Sequence, residues 1–299
     1  MDILALVAAF GGGVIGAYMG AVPAFVMTGV FALVGGVATA AGVDGGVAIN
    51  TIAFGSFLGP HIAFAGGVAA AAYAGKQKKL ASGSDVVSSL NGLAAPDVLL
   101  VGGLFGIVGY LLAALIGATP LGPLTDLPGI CVVISGIIVR FLFGTTGLTG
   151  KYTGEGPRVW FSTGTGFVYN VVLGAGIGCA VSFVAAGLYN AGNAVALSIF
   201  PIICFGFSAT TLLFACGGLA CPATHHISLP AGLAASVGLA AWGPAGALLG
   251  VVFGILGSLG GDLFGNSINS HVDSHIDPPA TTIFILTIVV NLIKMALGV

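Results

Sequence analysis

The chain has 299 residues, of which Lys, Arg, Asp and Glu make up only 5% and apolar residues 57%, with a formal net charge of −2. An ordinary soluble domain carries roughly 25% charged residues, so seven basic and nine acidic side chains cannot clothe a fold of this size in water. Lipid must be the solvent for most of it, and the charge balance gives no reason to expect a nucleic-acid partner.

The 52 glycines are well over twice average usage. No G-X-Y period is present, which excludes collagen, and the apolar content excludes disorder. Between membrane helices there is no water to expel, so association relies on close backbone contact, which Gly permits. Three ladders fit that use: Gly12, Gly16 and Gly20; Gly246, Gly250 and Gly254; Gly257, Gly261 and Gly265.

In chain order, Met1-Asp2 and the apolar run after it lack the basic region and cleavage site of a signal peptide, so the run is expected to be the first membrane helix. Apolar segments follow near 22–42, 46–75, 97–117 and 129–147, then near 166–189, 194–216, 226–242, 244–264 and 280–298. Each of the ten is long enough for a bilayer core of about 30 Å. A polar stretch at 76–96 separates the third and fourth, and a polar loop carrying Lys151, Glu155 and Arg158 follows the fifth.

The halves look alike. Gly102–Gly117 and Gly250–Gly265 match at eight of sixteen positions without a gap. Asp126 aligns with Asp277, Pro128 with Pro279, Ile137 with Ile288, and upstream His61 with His226. The GGGVIGA run from Gly11 weakly resembles GAGIGCA from Gly174. The expected fold is therefore an all-α polytopic membrane protein of about ten segments: a first repeat over 1–150, a connecting loop at 151–165 and a second repeat over 166–299. Five segments per half is odd, so the second half enters from the opposite side and the repeats are inverted. Lys76, Lys78, Lys79, Lys151 and Arg158 fall in loops on one side, the expected cytoplasmic one, with Arg140 able to snorkel to it. Both termini are then outside, with a prokaryotic cell membrane the expected location.

The third segment of each half is interrupted, by Gly59-Pro60 in the first and by Pro222 and Pro230 in the second. Interrupted segments at matching places mark transporter sites, and short half-helices or re-entrant hairpins are expected. Asn50, Pro60, His61, Thr224, His225 and His226 are therefore the candidate lining of a substrate path. His61 and His226 stand out, either lining a pore or bonding carbonyls freed by the break. Asp126 and Asp277 read as helix caps, or as acids in a solute or cation vestibule. His271, Asp273 and His275 alternate, so an extended chain puts them on one face, where they either hold a divalent metal or form a solvated loop. The cysteines Cys131, Cys179, Cys204, Cys216 and Cys221 read as small buried hydrophobes.

Ten helices in two inverted halves resemble the plan of urea and ammonium channels, and the His61/His226 pair resembles the pore histidines of ammonium channels. The surrounding residues match neither family, so the resemblance transfers no functional residue. The expected function is a channel or secondary permease for a small solute, with no catalysis and no cofactor. The partners are the bilayer, the solute and further copies of the chain in a homo-oligomer. The alternatives are a structural, oligomer-forming membrane protein and a divalent-metal-binding one.

Overall fold

A computed structural model describes residues 2–220 and 223–299, so the expectations for Cys221 and Pro222 lie outside the described residues. Among the described residues all regular structure is helical: α1 (Ile3–Met19), α2 (Ala21–Ala40), α3 (Ala65–Lys76), α4 (Pro96–Gly117), α5 (Leu127–Phe143), α6 (Thr165–Asn190), α7 (Ala194–Thr210), the single turn α8 (Leu213–Cys216), α9 (His225–Trp242), α10 (Leu249–Ile268) and α11 (Pro278–Leu297). Local chemistry sets several of the starts. Asp2, Asp126, Asn193 and Asp277 each cap a helix by accepting from a backbone N–H in its first turn, and Pro96 opens α4, where its missing donor costs nothing.

Among the described residues, six helical runs are long and apolar enough to cross a membrane: Ala21–Ala40, Pro96–Gly117, Thr165–Asn190, Ala194–Cys216, His225–Ile268 and Pro278–Leu297. The chain is a multi-pass membrane protein. The His225–Ile268 run turns at Gly243, whose φ of 66° with ψ of −156° is a combination that glycine adopts readily, and α9 and α10 lie side by side. The helices α1 and α5 are apolar but have 17 residues each. Large apolar side chains such as Leu4, Leu115, Phe183 and Met295 face outward, as a lipid-solvated surface requires.

The break in the first half falls where Gly59-Pro60 predicts. A wide helical turn at Val47–Ala53 stops, residues 54–59 leave the helix, and Pro60 opens a second wide turn that runs into α3. The carbonyl of Leu58, freed by the break, accepts from Thr28 Oγ1 at 2.6 Å. Without such a partner an orphan acceptor in the hydrocarbon core would cost several kcal/mol, on the order of a buried polar group left bare. In the second half, α8 ends at Cys216 and helix resumes at His225.

Packing repeats between the halves. The helix α1 lies on α4 as α6 lies on α10, and α3 lies on α4 as α9 lies on α10. The halves meet where α2 packs on α7 and α5 packs on α11. Glycine makes the approaches possible: Gly16 abuts the Ala63 backbone, Gly109 the His61 carbonyl, and Gly257 the His226 carbonyl. Any Cβ at these places would overlap backbone.

The loops at 77–95, 144–164 and 269–277 gather at one end. The Lys76 ammonium donates to the Leu142 carbonyl at 2.8 Å, the Lys151 N–H donates to the His271 carbonyl at 2.8 Å, and Gly83 abuts the Asp273 backbone. Arg140 does not snorkel, contrary to expectation. It is 1% exposed and spends its donors inside this end, on Ser274 Oγ and the carbonyls of Gly147, Leu148, Ile268 and Ser274. A planar fork with fixed donors suits such a cluster of carbonyls better than a reach toward water. The cysteines divide: Cys131 and Cys204 are buried, Cys216 is partly buried, and Cys179 is exposed, which corrects the expectation for the last.

A candidate site on the seam between the halves

A cavity of about 410 Å³ lies where the halves meet, with walls from α2, α5, α7, α9 and α11 and from the broken segment at Pro60 and Phe64. Four helix starts converge on it: Pro60, then Asp126 with Pro128 and Gly129, then His225, then Asp277 with Pro278 and Pro279.

Most of the wall is apolar, and four phenylalanines shape it. Phe25 meets Phe64 edge-on at 5.7 Å and Phe205 at 5.5 Å, and Phe54 lies 5.3 Å from Phe205. The His225 ring joins the group 4.8 Å from Phe25. It is 4% exposed, and its Nδ1 has no hydrogen-bond partner among the described residues.

The two carboxylates on the wall differ in their partners. Asp277 is fully engaged: Oδ2 accepts from the Ala280 N–H at 2.7 Å, and Oδ1 lies 3.0 Å from His275 Nε2. The His275 tautomer follows from its other neighbour. The Ile276 N–H donates to Asn269 Oδ1, which turns the Asn269 amide nitrogen toward His275 Nδ1 at 3.2 Å. Nδ1 therefore accepts, and Nε2–H donates to Asp277. Asp126 Oδ1 accepts from the Gly129 N–H at 2.7 Å, whereas Oδ2 has no protein partner among the described residues. None of the lining residues is Lys or Arg.

Residues 1–156 and 173–299 match a family of unknown function (DUF7973). The chain belongs to that family. No curated protein and no solved structure matches it.

Of the expected path residues, the structure brings Pro60, His225, Asp126 and Asp277 together on the cavity wall. His61 and His226 are buried behind it, each with Nδ1 unpartnered among the described residues. The His226 ring presses on Gly261. Thr224 lines a separate apolar recess with Ser228 and Phe200, and Asn50 is exposed on the wide turn before the break. Each of the two aspartates caps its helix, one of the two roles expected, and lies on the cavity wall.

The alternating His271, Asp273 and His275 do not form one ligand set. Among the described residues no group of three His, Cys, Asp or Glu side chains could hold a metal ion. His271 has φ 59°, which breaks the extended run, and its ring lies on Tyr152 at 4.9 Å. Asp273 turns to Thr145 and Thr146, while His275 turns to the cavity. The phenylalanines were missed as site residues because nothing local separates a cavity Phe from one facing lipid.

Proposed function

We propose that the protein is a channel or secondary permease for a small solute, built as two inverted five-helix halves with the path between them. The observation that carries this reading is the seam cavity, because corresponding residues of the two halves line it: Asp126 and Asp277, Pro128 and Pro279, Gly129 and Ala280. Transporters with inverted repeats place their site at such an interface, among the ends of interrupted helices.

The packing supports the inversion. Gly106 abuts Ala9 and Gly13 on α1 as Gly254 abuts Gly174 and Gly178 on α6. This register pairs Ala9 with Gly174, two residues from the pairing suggested by the glycine runs alone. The contacts of α2 with α7 run antiparallel, Gly36 by Ile203 and Gly29 by Ala209, as a two-fold axis in the membrane plane requires. Ten crossings follow if α1, α3 and α5 span with the longer helices. The lysine-bearing loops at 77–95 and 144–164 then share the cytoplasmic side, and both termini lie outside.

The test is flux through the purified protein in liposomes, screened with small neutral, cationic and anionic solutes. Val132→Trp extends an indole into the cavity and should cut flux at least tenfold while the protein stays folded. Undiminished flux through a folded Val132→Trp protein would place the path elsewhere, and no flux for any solute class would remove transport.

A further inference from the structure

We propose that the seam cavity binds a small protonated amine with an apolar body, its ammonium group held at Asp126 Oδ2. The proposal deepens the transport reading and rests on it only for how the amine reaches the site.

The carboxylate is the first ground. Asp126 spends one oxygen on its helix cap and leaves the other without a partner, in a wall made mostly of carbon. Among the described residues no Lys, Arg or His nitrogen comes within salt-bridge distance of it. An isolated carboxylate in an apolar site is unfavourable until a proton or a cation meets it, and an ammonium group brings both a charge and N–H donors. Asp277 has both oxygens hydrogen-bonded, to His275 and Ala280, so among the described residues Asp126 carries the unbonded carboxylate oxygen on this wall.

The phenylalanines are the second ground. Phe25, Phe54, Phe64 and Phe205 line the cavity, where aromatic rings take up the apolar body of an amine and a ring face turned to its ammonium attracts it. A volume of about 410 Å³ falls within the range of small-molecule pockets.

Competing ligand classes fit less well. Converging helix starts ordinarily favour an anion, because their free N–H groups hold it. Here Pro60, Pro128, Pro278 and Pro279 carry no N–H, and the Gly129 and Ala280 donors are taken by the two aspartates. A bare metal ion needs several oxygen ligands, and the wall offers one free carboxylate oxygen.

The probes are benzylammonium, benzyl alcohol and benzoate, which share a ring and differ in charge. Binding is read by titration calorimetry on detergent-purified full-length protein, with sodium chloride at equal ionic strength as control. Benzylammonium should bind at least tenfold more tightly than either analogue. Asp126→Asn should remove at least tenfold of that affinity while keeping the cap, since Asn caps as well as Asp. Phe54→Leu should weaken benzylammonium several-fold and benzyl alcohol little. Equal binding of benzyl alcohol or benzoate, equal competition by sodium, or an unchanged Asp126→Asn protein would overturn the proposal. The wild-type comparison decides even if both variants fail to fold. Flux in liposomes separates the two readings: selective ammonium binding without flux removes transport and keeps the site, and flux without ammonium selectivity does the reverse.

Discussion

Arg140 and Asp273 show how single polar residues hold one end of an otherwise apolar protein. The guanidinium gathers carbonyls from α10, from the loop after α5 and from the loop before α11. Arg140→Lys keeps the charge but loses the fork, leaving several buried carbonyls bare at about 1–3 kcal/mol each. The expected outcome is a drop in thermal stability of several degrees or more, read by a melting scan in detergent, with the loops at 144–148 and 268–274 first to gain hydrogen exchange. Burial pushes the Asp273 carboxyl up, but hydrogen bonds from Thr145 and Thr146 outweigh it and hold it below its ordinary value of 3.8. A depressed folded value means that this stabilisation is complete above the ordinary value and is lost as pH falls through the lower one. Protection of the Thr145 amide should therefore hold down to about pH 4, near the unperturbed Asp value, and fail in stronger acid. In the Thr146→Ala protein it should fail at a higher pH.

At the scale of elements, glycine and proline do different work. Proline breaks the third segment of the first half and sets the helix starts that face the cavity, while glycine lets helices touch. The two glycine environments on α1 make a direct comparison. Gly16 abuts the Ala63 backbone, whereas nothing lies within 4 Å of a Cβ built on Gly11. Gly16→Ala should cost at least the roughly 1–3 kcal/mol of an overpacked core, and Gly11→Ala should be neutral or stabilise by up to about 1 kcal/mol through helix propensity. Melting curves of the two proteins in one detergent test this. Similar losses at both positions would mean that α1 does not pack on the broken segment through this face.

For the whole molecule, one prediction decides the topology. Single cysteines placed in the 76–85 and 150–158 loops should be labelled from the same side, and cysteines near residues 2 and 299 from the other. Any other pattern removes the inverted arrangement of five and five, and with it the symmetry of the cavity wall. The position of the cavity on the seam follows from the packing. Two copies of one packing pattern meet through α2 with α7 and through α5 with α11, and the space between these pairs is filled by neither half.

Membrane residence, the break at Gly59-Pro60 and the aspartate caps were all legible from the chain alone. Each is decided within one or two turns of backbone, by hydropathy, by a missing donor or by a side chain reaching its own first turn. The cavity wall was legible only in part, at Pro60, Asp126, His225 and Asp277. Neighbouring residues on a helix point about 100° apart, so the rotation of α9 about its axis decides whether His225 or His226 faces the seam. In the fold His226 lies against Gly257 and Gly261 of α10. His275 reaches the cavity and not a metal because Asn269 and Asp277 take both its nitrogens. Composition and local pattern by themselves determined the solvent, the helices and the places where they stop. Only tertiary contact between residues far apart in the chain decided which side chains share a space, because helix rotation and approach are properties of pairs of helices.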